Sequence, residues 1–264
     1  VSAFAANDSS LELIDTHCHL DAPELDGVRA ACVEEAQAAG VKHIVVPAVY
    51  ADGFAGTLAM REQYGCQVAF GLHPIYTAQH QDEHLAVLER WLQEQQPVAV
   101  GEIGLDFYLP QLDVKRQEAL FLEQLRLARR FDLPVILHVR RSQDRVLKYL
   151  RLARVERGIA HAFNGSEQQA EAFIRQGFKL GFGGAMTYAG SQRIRRLAAT
   201  LPLSALVLET DAPDIRPSWS QHLLNRPANV AAFAQELAAL RQQPLAEIAW
   251  HTSKNALAAL ALRT

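Results

Sequence analysis

The chain has 264 residues, nearly half of them hydrophobic, so it can build one large α/β domain with a sizeable core, and disorder is excluded as its main state. A formal net charge of −3 excludes a protein held on nucleic acid by bulk positive charge, but not one with a local basic rim. Three cysteines (Cys18, Cys32, Cys66) leave one unpaired in any disulfide scheme, and no apolar run approaches the ~18 residues a membrane helix needs, so the expected setting is reducing and cytoplasmic.

The opening VSAFAANDSS lacks the basic and apolar regions of a signal peptide and reads as a flexible N-terminal extension over 1–10. From Leu11 onward, short aliphatic or β-branched runs alternate with amphipathic helical stretches. Leu11 to His17 is the first strand, and VRAACVEEAQAAG the helix after it. His43 to Val49 and Gln67 to His73 follow, with HLAVLERWLQEQ behind the third strand. Val98 to Gly104 leads into EALFLEQLRLARRF, and Pro134 to Val139 is the fifth strand. Ile159 to Phe163, with AEAFIRQG after it, is the sixth; Phe178 to Gly184 and Ala205 to Asp211 complete eight. NVAAFAQELAALR and LAEIAWHTSKNALAALAL flank Pro244, one closing the eighth unit and the other an extra C-terminal helix.

Such alternation predicts parallel strands joined by crossover helices. Eight units in about 250 residues predict a single (β/α)₈ TIM barrel over 11–264. An open doubly wound sheet is the alternative, but no G-x-G-x-x-G or P-loop pattern follows the first strand.

Active sites of such barrels lie at the C-terminal ends of the strands. The ionisable residues gather there: His17 and His19 after the first strand, His73 at the third, Glu102 at the fourth, His138 at the fifth, His161 at the sixth and Asp211 at the eighth. Residues i and i+2 of a strand point to the same side, so His17 and His19 can converge on one cation. A lone H-x-H is more often a polar strand end; partnered by later histidines and acids it becomes a metal pair. Glu102 closes an apolar run, where a buried carboxylate requires a counter-charge, and its two oxygens can bridge two ions. Glu209 and Asp211 share strand parity, so spacing does not choose between them, although Asp211 is nearer the mouth. Asp106 can steer a ligand histidine or cap the loop after the fourth strand. Arg140, Arg141, Arg216 and Arg226 are placed to meet phosphates at the rim, with the solvated surface as the bland reading. Phe107, Tyr108, Tyr188 and Trp219 are candidate stacking aromatics or core covers. Cys18, between two better ligands, reads as structural.

The set D-T-H-C-H-L-D, G-L-H-P, G-E-I-G-L-D-F, the His138 strand, H-A-F-N-G and E-T-D-A-P resembles the TatD family of metal-dependent deoxyribonucleases, in the amidohydrolase superfamily. R-P-A-N-V (Arg226 to Val230) and T-S-K-N-A (Thr252 to Ala256) match family segments too, and the resemblance runs from about Leu13 to the end. It implies one metal held by His17, His19, Glu102 and Asp211, and a second by Glu102, His138 and His161, with Glu102 bridging. It favours Asp211 over Glu209, and a bridging Glu102 over the modified lysine of many barrels in that superfamily. Where the family commonly shows H-C-F-S-G, this chain has His161-Ala162-Phe163-Asn164-Gly165, keeping the ligand histidine.

The expected activity is hydrolysis of DNA phosphodiesters through two divalent ions (zinc, manganese, magnesium, nickel or cobalt). Asp211 serves as general base and Glu102 as the bridge. His73 and the four rim arginines are the expected substrate contacts. DNA is the expected partner, with no membrane and no obligate protein partner. A small-molecule hydrolase of amides, lactones or phosphotriesters is the alternative enzyme, recognisable by a closed, apolar pocket. A non-catalytic metal-binding or docking barrel is the alternative of another class, disfavoured because every ligand and the base are present.

Overall fold

The computed structural model describes residues 12–220, 224–260 and 262, so the N-terminal extension expected over 1–10 lies outside the described residues. Eight strands alternate with helices: β1 (Leu13–Asp15), β2 (Val41–Pro47), β3 (Gln67–Phe70), β4 (Ala99–Asp106), β5 (Val135–Arg140), β6 (Gly158–Ala160), β7 (Phe178–Phe182) and β8 (Leu206–Leu208). The helices are α1 (Arg29–Ala38), α2 (Phe54–Tyr64), α3 (Glu83–Gln95), α4 (Val114–Arg130), α5 (Gln143–Ala153), α6 (Glu167–Arg175), α7 (Gln192–Thr200), α8 (Asn229–Arg241) and α9 (Leu245–Leu260). Each strand pairs in parallel with the next. The ends of β8 and β1 meet through Thr16 N–H to Leu208 O (3.1 Å), Asp211 N–H to His17 O (2.8 Å) and a bridge between Cys18 and Ala212. The fold is the expected TIM barrel with its C-terminal helix.

Side-chain alternation divides the core in two. Leu13, Val46, Phe70, Val100, Leu137, Leu180 and Leu208 face outward and pack against the helices. Ile14, Val45, Ala69, Ala99, Ile136, Ile159 and Val207 face inward and fill the barrel floor. Ala256, Ala259 and Leu260 of α9 join this inner cluster from below. Asn255 fixes α9 there, donating to Leu203 O and Leu206 O at 2.8 Å, while Ser253 Oγ donates to Glu12 O at 2.7 Å. The T-S-K-N-A segment thus ties the last helix to the start of β8 and the entry to β1. With the floor filled, the opposite mouth offers the space for chemistry.

Two buried glutamines hold the mouth in shape. Gln117 and Gln124 lie seven positions apart on α4, hence on one face of the helix. Gln117 pairs with both backbone groups of Asp106 (2.8 and 3.0 Å), and Gln124 does the same for Leu72 (2.7 and 3.1 Å). Each amide therefore satisfies a donor and an acceptor that leave the sheet where β4 and β3 end. On the opposite side, Asn225 donates to Thr210 O (2.7 Å) and Asp214 O (2.9 Å), pinning the loop after β8.

Candidate metal centre

Alternation delivers three of the six candidate ligands. His138 lies two residues beyond inward-facing Ile136, His161 two beyond Ile159, and Asp211 four beyond Val207. Glu102 sits at an odd offset from Ala99, and the β4–β5 register shifts between Val100 and Ile103, which turns Glu102 inward as well. His17 and His19 stand beyond the end of β1 rather than on it, with Asp211 N–H bonded to His17 O and His19 N–H to Ala212 O, both at 2.8 Å. Asp211 itself has φ = 57°, a left-handed conformation that costs a non-glycine residue energy and re-aims its carboxylate.

The six expected ligands converge. Glu102 Oε2 lies 3.1 Å from His17 Nε2 and 3.5 Å from His19 Nε2. Asp211 Oδ1 lies 3.6 Å from each of those nitrogens and 3.7 Å from His161 Nε2. Glu102 Oε1 turns the other way, to His138 Nδ1 (3.0 Å), His73 Nε2 (3.1 Å) and His161 Nε2 (3.9 Å). Among the described residues, three sets of donors each gather within 4.8 Å: His17, His19 and Glu102; His17, His161 and Asp211; His73, Glu102 and His138. His161 stacks on His17 with ring centroids 3.7 Å apart, so it faces the first group as well as Glu102.

These donors fit divalent cations. Bonds of ~2.0–2.1 Å at tetrahedral or octahedral angles place donors roughly 2.8–3.4 Å apart. His17 Nε2 and His19 Nε2 approach to 3.2 Å, an arrangement in which two lone pairs repel unless a proton or cation lies between them. Burial holds His17 well below its ordinary value, while the acids of the cluster favour charge on two of its other rings. Burial disfavours a charged His19, yet Glu102 and Asp211 raise it to about 9. Burial likewise opposes charge on His161, and Glu209 and Asp211 raise it to about 10. A cluster that draws protons this strongly draws metal ions for the same electrostatic reason. Burial lifts the Asp211 carboxyl to about 6, with the His161 and His19 charges pulling the other way.

Around the ligands, further groups fix the rings. His138 Nε2 meets Asp106 Oδ2 at 2.9 Å, so Asp106 does steer this histidine; its other oxygen also accepts from Tyr108 N–H and Leu109 N–H. Glu209 turns away from the ligand group that Asp211 faces. Its Oε1 accepts Ala162 N–H at 2.6 Å and lies 3.1 Å from His161 Nδ1, off the line of a straight hydrogen bond. A Cβ on Gly181 would stand 2.0 Å from Glu209 Oε2, so β7 needs glycine there to admit the carboxylate. Asp15, buried and lifted to about 8 by burial, receives Thr210 N–H (2.9 Å) and Thr210 Oγ1 (2.6 Å), joining β1 to the loop that carries Asp211. The partners of Glu209 and Asp15 lie on elements distant in sequence, so spacing along the chain carries no signal of these roles.

The cluster opens into a groove of about 1540 Å³. Arg140 and Arg141 line it and bracket the Tyr108 ring, 3.8 and 4.7 Å from its centroid. The Tyr108 face is therefore covered by cations. Asp21, Glu24, Asp52 and Asp214 line the groove too, with Tyr50 and Tyr76 beside them. Of the other expected contacts His73 lines the groove, and the two remaining arginines do not. Arg226 pairs with Glu35 at 2.6 Å, and Arg216 is outside the groove lining, its backbone carbonyl accepting from Tyr188 Oη. Trp219 is exposed and leans on Phe233. Cys18 is fully buried and free, as are the other two cysteines. No helix among the described residues is long and apolar enough to cross a membrane.

Residues 14–261 match a family model described as TatD related DNase. The chain is 45% identical to the uncharacterized metal-dependent hydrolase YjjV of Escherichia coli, over 89% of this chain and 93% of that one. It is 28% identical to human deoxyribonuclease TATDN3, covering 93% of each. The crystal structure of E. coli YjjV, a TatD homologue, superposes with a TM-score of 0.93 at 42% identity, over 97% of this chain and 100% of the other.

Proposed function

The chain belongs to the TatD family of metal-dependent hydrolases, and on that premise we propose that it is a deoxyribonuclease that cuts DNA phosphodiester bonds at a two-metal site. The observation that carries the two-metal reading is the division of labour within Glu102. One oxygen faces His17 and His19; the other faces His138 and, farther off, His161. A carboxylate placed between two groups of imidazoles is suited to bridging two ions. His17, His19, Glu102 and Asp211 are the residues assigned to one ion, and Glu102, His138 and His161 to the other.

When bound, the two ions supply Lewis acidity to a water molecule and to the phosphoryl oxygens. The chain's own residues do the rest. Asp211 accepts the proton of the attacking water, and a carboxyl raised toward neutrality by burial is matched to that task. Asp106 keeps the His138 ring in place, and the Glu209 carboxylate faces His161 Nδ1 at 3.1 Å. Arg140 and Arg141 offer exposed charge to neighbouring phosphates.

An open groove with arginines on its wall supports a nucleic-acid strand over a small neutral ester, which calls for an enclosed apolar pocket. The name deoxyribonuclease borne by the human relative supports the same substrate. The test is a panel of DNA, a chromogenic phosphodiester, lactones, amides and a phosphotriester, run with zinc, manganese, magnesium, nickel and cobalt. Turnover confined to the lactone or amide members would replace the nuclease reading with the small-molecule one.

A further inference from the structure

We infer that Arg193, held by Asn164, is a docking point for a substrate phosphate away from the bond being cut; this rests on the nuclease reading above. Arg193 is the second residue of α7 and Asn164 follows His161 by three residues, and both line the groove that holds the metal ligands. Asn164 Oδ1 accepts from Arg193 Nε (3.2 Å) and Nη2 (2.7 Å). A guanidinium has five N–H donors, so this grip fixes its plane and leaves three for an incoming anion.

The partner's chemistry matters because of where the pair sits. Arg195, Arg116 and Arg226 are held by the carboxylates of Glu236 (2.6 Å), Asp82 (2.5 Å) and Glu35 (2.6 Å), and Arg61 and Arg241 are held by amides and carbonyls, but none of these lines the groove. Arg193 is held by a neutral amide, and no carboxylate ion pair with it occurs among the described residues. An amide orients the cation without cancelling it. The Asn164 loop is itself fixed, with Gln143 Nε2 donating to Asn164 O (3.2 Å) and Ser166 and Gln169 forming a capping box at the start of α6. An exposed pair of this kind adds little to stability, so folding does not explain why it is built so carefully. With Arg140 and Arg141 it gives the groove wall three cations to meet phosphates, beside the acids Asp21, Glu24, Asp52 and Asp214.

The test uses the metal-loaded full chain, a single-stranded DNA oligonucleotide and bis(p-nitrophenyl) phosphate, which has no second phosphate. Arg193→Gln should raise KM for DNA about fivefold or more, as loss of one charged hydrogen-bonding contact does. It should also flatten the salt dependence by up to about one unit of slope, with kcat and the small ester unchanged. Asn164→Asp is the sharper variant, because it keeps both bonds to Arg193 and cancels the charge. It should behave like Arg193→Gln, whereas Arg193→Lys should restore part of the affinity. Parent-like KM and salt slope in both Arg193→Gln and Asn164→Asp, with the parent active on DNA, would overturn the assignment alone. An equal loss on the small ester would overturn it too, by moving Arg193 into the chemistry. A parent that cleaves the small ester but not DNA would overturn the nuclease reading itself.

Discussion

His73 donates its Nε2 proton to Glu102 Oε1 across 3.1 Å, because Ile75 N–H, 3.2 Å from His73 Nδ1, leaves that nitrogen as the acceptor. This tautomer makes His73 an orienting partner of Glu102 rather than a ligand, although it stands in one of the three donor sets. Burial keeps the ring neutral, pulling its pKa down to about 4 against the pull of Glu102. His73→Ala should therefore weaken metal binding by about 10- to 100-fold without abolishing it, the usual consequence of losing a group that orients a ligand. Metal titration of the purified variant measures this; wild-type affinity would return His73 to the substrate role expected for it at the outset.

Asp211→Asn separates proton transfer from metal holding. The variant should keep the ion assigned to His138 and His161 while turnover on DNA drops at least ~10²-fold, the range for removing an acid–base group. Elemental analysis and single-turnover cleavage on the same sample test both halves. Parent-like turnover would remove Asp211 as the base.

The rim arginines should divide into two pairs. Arg140→Ala or Arg141→Ala should weaken DNA binding and lower the salt slope by about one unit at most. Arg226→Ala should change neither, since its guanidinium is committed to Glu35, and Arg216→Ala should resemble Arg226→Ala because Arg216 lies outside the groove. Fluorescence anisotropy at several salt concentrations reads all four. The grouping fails if Arg226→Ala gives the largest effect.

Protons and metal ions should compete in the stability of the fold. His19 and His161 rise from 6.5 to about 9 and about 10, so the stability they contribute is present below pH 6.5 and is lost as pH climbs through those values. Asp15 and Asp211, lifted to about 8 and about 6, act in the same direction as they are forced to ionise. His73, lowered to about 4, acts oppositely, removing stability as pH falls from 6.5 toward 4. Metal-stripped protein should lose stability as pH rises from 6.5 toward 9. Added zinc or manganese should flatten the alkaline limb. A metal-stripped protein that is more stable at pH 9 than at pH 6.5 would contradict the protonation pattern.

The barrel was legible because inward positions recur at strand spacing, and the same spacing carries His138, His161 and Asp211 to the mouth. Strand ends were less legible. The run to Asp211 reads as one strand, but β8 stops at Leu208 and β1 at Asp15, because the residues beyond them trade sheet pairing for cross-loop bonds such as Asp211 N–H to His17 O. His17 and His19 consequently meet through loop geometry rather than through the i, i+2 alternation of a strand. The inward turn of Glu102 depends on a register shift that periodicity does not encode. Glu209 and Asn164 owe their roles to Gly181 and Arg193, residues on other elements, and only the folded chain brings those pairs together.

The central claim is that two ions bridged by Glu102 cut DNA, and the direct measurement is DNA hydrolysis followed against bound metal equivalents in the parent and in Glu102→Gln. The parent should bind two equivalents and gain nuclease activity as the second is taken up. A neutral amide does not bridge two divalent cations as a carboxylate does, so Glu102→Gln should lose both metal occupancy and cleavage. A Glu102→Gln protein that still holds two ions and still cuts DNA, or a fully loaded parent that cuts none, would contradict the account.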